Sequence, residues 1–92
     1  MAKPNRKVFF DLDYMGHNIK VVNKWNDCSL IIDDAVMDTY KSVVAFNFVL
    51  KGIIQIRNEE VEIAFKLKNG FLRAKLLLTV NGQLIAEGKI FM

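Results

Sequence analysis

This 92-residue chain has one histidine and one cysteine, and together they are its clearest candidates for nucleophilic chemistry. An imidazole activates a thiol by removing its proton, and two strands joined by a turn would bring His17 and Cys28 close together. However, Cys28 lies beside an apolar run, where a small cysteine is usually a core residue, and His17 follows a turn glycine. We therefore predict no catalytic residue and no enzymatic activity.

Carboxylates are the next candidates, and calcium is the ion that would suit them. They are Asp11, Asp13, Asp33, Asp34 and Asp38. Their spacing lacks the ligand loop of an EF-hand, and one histidine with one cysteine excludes the usual structural zinc sets. The five glycines do not form a phosphate-binding loop. We expect solvated turn acids, with no metal and no cofactor.

Basic residues in the second half of the chain indicate a different kind of site. The net charge is +3, and residues 41–92 contain eight Lys or Arg against four Glu. The candidate anion-binding face consists of Lys66, Lys68, Phe71, Arg73 and Lys75. A basic track with an aromatic ring suits single-stranded nucleic acid, although a solvated face that protects the sheet from edge pairing is the simpler interpretation.

Alternating hydrophobicity places these basic residues on β-strands. In residues 61–68, VEIAFKLK, apolar side chains fall on one side, with period two. The following Asn-Gly pair tolerates positive φ at both positions, as a two-residue hairpin turn requires. Such a turn would pair Leu67 with Leu72 and Phe65 with Ala74, so that apolar residues meet across the strands.

The second Asn-Gly pair predicts another hairpin, whose register contains a conflict. Pairing Val80 with Gln83 would place Leu76 opposite Glu87 on the core face. Either a bulge near Gly88 shifts the later residues, or the opposite face of the hairpin is covered by other apolar groups. The residues of that candidate interaction face are Leu77, Leu84, Ala86 and Ile90.

The first half follows the same pattern with weaker turn signals. Residues 8–14 alternate as a strand, and SLIIDDAVMD predicts two strands joined at Asp33-Asp34 rather than a helical turn. Residues 43–50 are apolar on both faces, which favours a central strand. About eight short strands and no helix of ordinary length indicate an all-β antiparallel β-sandwich, with a small β-barrel as the alternative.

Composition indicates a single domain over residues 1–92. The hydrophobic fraction of 52% and the single proline argue against disorder. No segment approaches the ~20 apolar residues of a membrane-spanning helix, and a lone cysteine fits a reducing compartment, so we expect a cytoplasmic protein. The predicted core is Phe10, Leu12, Ile19, Val21, Trp25, Leu30, Ile32, Phe46, Phe48, Ile63, Phe65, Leu67, Leu76 and Leu78.

Four segments occur in a recognisable order: LDYMGHNIKVV, LIIDDAVMD, FNFVLKG and NGFLRAKLLLTVNGQL. Their order resembles the β-sandwich of the Fas apoptosis inhibitory molecule family, over nearly the whole chain. Asp34 stands where the family pattern has a hairpin glycine, so that turn departs from the pattern. The resemblance implies a compact antiparallel sandwich without a catalytic centre and with a role in protein interaction.

Three classes of function remain. The excess apolar content favours a non-enzymatic interaction module that self-associates, for example as a homodimer, or binds a protein partner. The basic face favours a binder of single-stranded nucleic acid or another anionic ligand. The third class is an enzyme or small-ligand carrier with an internal cavity. We predict the interaction module without membrane binding, and we keep the anion binder as the alternative.

Overall fold

The computed structural model describes residues 6–24, 27–41, 47–70 and 73–91, in which all regular structure is β-strand. The strands are β1 (Arg6–Tyr14), β2 (His17–Lys24), β3 (Asp27–Ile32), β4 (Ala35–Lys41), β5 (Phe48–Ile56), β6 (Glu59–Asn69), β7 (Arg73–Val80) and β8 (Gln83–Phe91). β1 to β4 form sheet I and β5 to β8 form sheet II, both antiparallel and in chain order. The predicted β-sandwich is confirmed. The alternative, a small β-barrel, is wrong because these strands form two separate sheets and not one closed sheet.

Several hairpins turn through two residues that both have positive φ. These turns are Met15–Gly16, Asp33–Asp34, Arg57–Asn58 and Asn81–Gly82. Positive φ at both central positions is the mark of a type I′ turn, whose twist matches that of the flanking strands. The hairpins predicted at Asp33-Asp34 and at the second Asn-Gly pair are therefore confirmed.

The hairpin of β6 and β7 is also confirmed, but its predicted register is wrong. Asn69 still belongs to β6 and pairs with Ala74. The loop therefore begins after Asn69, and Asn69-Gly70 is not the two-residue turn that the sequence predicted. Leu67 pairs with Leu76 rather than with Leu72. Because this shift is an even number of residues, each side chain stays on the predicted face of the sheet.

A bulge in β8 resolves the register conflict that the sequence presented. The register shifts between Leu78 and Thr79, where Ile85 is the extra residue in β8. The bulge therefore lies earlier in the strand than predicted, and it moves every later residue of β8 to the opposite face. As a result, Ile90 pairs with the buried Ala74 and packs against the core.

The core lies between the sheets and includes a cluster of aromatic rings around Phe65. The Phe65 side chain is 0% exposed. Ring centroids of Phe9, Phe10 and Phe48 lie 6.1, 6.0 and 6.1 Å from the Phe65 centroid. Every predicted core residue that the structure describes is buried or packs against this core. Alternation along the strands was therefore sufficient to identify the buried face.

The central strand predicted over residues 43–50 falls partly outside the described ranges, which omit residues 42–46. Its residues 48–50 belong to β5, which is an edge strand of sheet II rather than a central one. Burial alternates along β5, and Val49 is exposed, so the strand is not covered on both faces. Trp25 and Phe46 of the predicted core also lie outside the described ranges.

Candidate functional site

The outer face of sheet II, which points away from sheet I, combines exposed apolar side chains with lysines. Its exposed apolar side chains are Val49, Ile53 and Leu84. Its lysines are Lys51, Lys66, Lys68, Lys75 and Lys89. A groove of about 300 Å³ on this face is lined by Val49, Lys51, Ala64, Lys66, Leu77, Thr79 and Gly82. Apolar and cationic groups therefore line one shared surface.

Three of these lysines form a row across three adjacent strands, which we call the lysine row. Lys68 pairs with Lys75, and Lys75 pairs with Lys89. Directly opposed residues have Cβ atoms about 4.5–5.5 Å apart, and like charges at this distance destabilise a sheet. Within the described part of the chain, these lysines form no ion pair. An anion bound over the lysine row would relieve this repulsion.

Most residues of the predicted anion-binding face lie together on one surface of the structure. Its described members, all exposed on the outer face of sheet II, are Lys66, Lys68, Arg73 and Lys75. Phe71 lies outside the described ranges. Sequence reasoning missed Lys51 and Lys89, because their positions depend on the β5 pairing and on the β8 bulge.

The four residues of the predicted apolar interaction face do not share one surface. Leu77 is half-buried in the groove and Leu84 is exposed on the outer face. By contrast, Ala86 and Ile90 pack against the core. The bulge at Ile85 causes this division, since it reverses the orientation of the strand residues that follow it.

A second polar arrangement joins sheet I to the edge of sheet II. His17 Nδ1 donates to Asp33 Oδ2 at 2.6 Å, and His17 Nε2 donates to the Gln55 carbonyl oxygen at 3.2 Å. Only an imidazolium donates at both nitrogens, and the hydrogen bond to Asp33 raises the pKa of His17 above its ordinary 6.5. The Asn18 backbone N–H and the His17 side chain lower the pKa of Asp33. We call this arrangement the His17 bridge.

His17 and Cys28 do not form a nucleophile and base. Cys28 is buried opposite Asn23, which follows His17 by six positions in β2, a separation of about 20 Å along a strand. Burial raises the pKa of the Cys28 thiol to about 12, so the thiol stays protonated. Because His17 Nε2 already donates to a backbone carbonyl, the His17 bridge connects strands and leaves no ring nitrogen for a substrate.

The aspartates have structural hydrogen-bond partners. Asn18 Nδ2 donates to Asp11 Oδ1 at 3.0 Å and to Asp13 Oδ1 at 3.1 Å. Asp38 Oδ2 accepts the backbone N–H of Lys51 at 3.0 Å, which connects β4 to β5. Among the residues that the structure describes, no three His, Cys, Asp or Glu side chains are grouped closely enough to hold a metal ion. These carboxylates therefore stabilise turns and strand edges.

No family model, curated protein or solved structure matches this chain. The relationship to the Fas apoptosis inhibitory molecule family therefore stays a prediction from the quoted segments. In the described ranges, no helix has the length and apolar character needed to cross a membrane.

Proposed function

We propose that the protein is a non-catalytic interaction module that holds an acidic protein segment on the outer face of sheet II. The groove carries this proposal, because apolar side chains, including the exposed Val49, lie beside lysines along it. Val49 is 42% exposed and Ile53 is 58% exposed, on a face where polar side chains are the usual choice. Exposed apolar groups beside cations suit a partner that supplies apolar and acidic side chains.

A partner segment that presents apolar and acidic side chains on the same side fits this face, and in an extended chain those are the residues at every second position. Val49, Lys66 and Leu77 are successive neighbours across three strands, so one extended segment reaches both kinds of group. Burial of apolar surface contributes about 25 cal/mol per Å² to binding. Complementary charge increases the association rate and selects acidic partners over basic ones. Affinity should therefore fall as ionic strength rises.

The test uses a short fluorescein-labelled peptide in which leucine and glutamate take turns at every second position, with serine between them. A second peptide with glutamine in place of glutamate measures the contribution of charge. In fluorescence anisotropy, the glutamate peptide should bind more tightly, and Lys66→Glu should weaken its binding about tenfold. Lys24→Glu makes the same charge change at an exposed position of sheet I and should leave the affinity unchanged.

Two outcomes would contradict the proposal. The first is no detectable binding of the glutamate peptide at low salt. The second is an equal loss of affinity in Lys66→Glu and Lys24→Glu, which would mean that net charge rather than the groove attracts the peptide.

Single-stranded nucleic acid is the second candidate ligand, and the lysine row favours it. A phosphate backbone lying across Lys68, Lys75 and Lys89 would neutralise three cations that repel one another. Fluorescein-labelled oligothymidine should then bind with an affinity that falls steeply with salt, and Lys75→Glu should weaken it. If oligothymidine does not bind at low salt while the glutamate peptide does, the nucleic-acid function is wrong.

A further inference from the structure

We infer that two copies of this chain pair through the open edge of β8, in one antiparallel register centred on Gly88. β8 is the last strand of sheet II, and in the described part of the chain only β7 pairs with it. This edge is separate from the groove on the outer face, so the inference does not depend on what the groove binds.

On the edge strands β4 and β5, side chains already form hydrogen bonds with backbone groups. These side chains belong to the facing sheet or to the same strand. Asp38 accepts the N–H of Thr39 on β4 at 2.9 Å and the N–H of Lys51 on β5 at 3.0 Å. Further along β5, the Gln55 carbonyl accepts a hydrogen bond from His17. Side chains that bind edge N–H and C=O groups prevent an added strand from pairing there.

The edge of β1 is poorly suited to pairing with its own copy. A bulge interrupts β1 between Val8 and Phe10, and the next exposed residues are Asp11 and Asp13. In the antiparallel registers that centre on this stretch, two copies of β1 would bring aspartates opposite aspartates, which is unfavourable. Among the described edges, β8 is therefore the best candidate for self-pairing.

The hydrogen-bond pattern of sheet II identifies the β8 residues that point toward the open edge. Along an antiparallel strand, alternate residues bond to the same neighbouring strand. The Asn81 N–H donates to the Glu62 carbonyl at 2.8 Å, so odd-numbered residues of β7 bond to β6 and even-numbered ones bond to β8. Gly88 pairs with Leu76, which is one of those even-numbered residues, so the backbone N–H and C=O groups of Gly88 point toward β7. The backbone groups of its neighbours Glu87 and Lys89 therefore point outward.

Charge then selects one register for the pair. Outward residues must pair with outward residues, and the two registers with the longest overlap in residues 86–91 are centred on Gly88 or on Lys89. A centre on Lys89 places two lysines directly opposite each other, and a centre on Glu87 does the same with two glutamates. A centre on Gly88 pairs Glu87 of each copy with Lys89 of the other copy, twice by symmetry.

The register centred on Gly88 also fits the small size of Gly88 and the position of Lys89 at the end of the lysine row. Gly88 would meet its own copy at a non-hydrogen-bonded position, where opposed Cα atoms are only about 4.5 Å apart. Lys89 is the last member of the lysine row, and its open side would face a glutamate of the other copy. The two copies of sheet II would become one continuous sheet.

Charge reversal tests both the edge and the register. Sedimentation velocity over a wide concentration range should show a dimer of the parent chain at high concentration. Glu87→Lys and Lys89→Glu each place like charges in both cross-strand pairs and should raise the dimer dissociation constant about tenfold or more. An equimolar mixture of the two variants should dimerise again, because each variant supplies the charges that complement the other. Circular dichroism of each variant checks that the exposed substitutions leave the fold intact.

Several results would overturn the inference. These are a parent chain that is monomeric at every concentration, a dimer that neither variant weakens, and a mixture that stays monomeric. A dimer weakened by Leu77→Lys alone would place the contact on the outer face instead of the β8 edge. Binding of the glutamate peptide is measured separately, so failure of the dimer and failure of the proposed function are distinguishable.

Discussion

A single imidazole makes the stability of this sandwich depend on pH. The pKa of folded His17 lies above 6.5, so the folded state binds the proton more tightly than the unfolded state. Its stabilisation is fully present below pH 6.5 and is lost as pH rises through the raised pKa. Asp33 acts in the opposite direction, because its pKa is lowered. Its stabilisation is present above pH 3.8 and is lost as pH falls through the lowered pKa.

We expect His17→Gln to remove the decrease in stability on the alkaline side. Urea unfolding between about pH 5 and pH 8 covers the range in which an imidazole changes charge. The free energy of unfolding should fall with rising pH in the parent chain and stay level in the variant. Asp33→Asn should also flatten the profile, because it removes the carboxylate that favours the imidazolium. A parent whose stability rises across this range would show that the His17 bridge does not form in solution.

One aromatic side chain carries a large share of the packing between the sheets. Phe65 is fully buried and its ring is close to three other aromatic rings. Phe65→Ala should lower the free energy of unfolding by about 3–5 kcal/mol, because it removes buried surface and leaves a cavity. Val36→Ala, at an exposed position of β4, should change it by less than about 0.5 kcal/mol. Urea denaturation measures both values, and a loss below about 1 kcal/mol at Phe65 would contradict the described core.

At the level of strands, the sequence predicted which side of each strand is buried more accurately than it predicted which residues pair between strands. Faces follow from the alternation of apolar and polar residues, which is local, and the core of β6 and β7 was identified correctly for this reason. The register conflict indicated a bulge in β8 as one of two explanations, but the position of that bulge at Ile85 has no local signal, because it depends on how β8 packs against the core. Lys66, Lys68 and Lys75 could therefore be assigned to one face from sequence, whereas Lys89 joins them only through that bulge.

The contact between β4 and β5 requires a residue without a side chain at position 52. A Cβ added to Gly52 would lie 2.8 Å from Met37 Cβ and 2.9 Å from Met37 Cγ. Met37 is the extra residue of a bulge in β4, so its Cβ moves only if that strand moves. Gly52→Ala should therefore destabilise the protein by about 1–3 kcal/mol, measured by urea unfolding.

A matched strand glycine provides the control for this substitution. A Cβ on Gly88 would have Leu76 Cδ1 as its nearest neighbour at 3.7 Å, which is an ordinary contact. At a concentration low enough for the chain to be monomeric, Gly88→Ala should therefore change the free energy of unfolding much less than Gly52→Ala does. Equal losses in the two variants would mean that the general cost of replacing a strand glycine, and not the approach of Met37, explains the result.

At the level of the whole molecule, each sheet is a meander in which every strand pairs with its neighbours in the chain. Such hairpins form from local contacts, whereas the buried core forms only when the two sheets pack together. Residues at the centre of that core should therefore become accessible only when the sheets separate.

Cys28 provides a chemical reporter of that separation. Its side chain is 2% exposed, and burial raises its thiol pKa to about 12, so both access and ionisation limit its reaction with a disulfide reagent. Labelling by Ellman's reagent should be slow in native buffer and should accelerate with urea in proportion to the opened fraction. Phe65→Ala should accelerate labelling about tenfold for each 1.4 kcal/mol of stability lost. A labelling rate unaffected by urea and by Phe65→Ala would instead mean that β3 exposes Cys28 by a local motion, with the sandwich still closed.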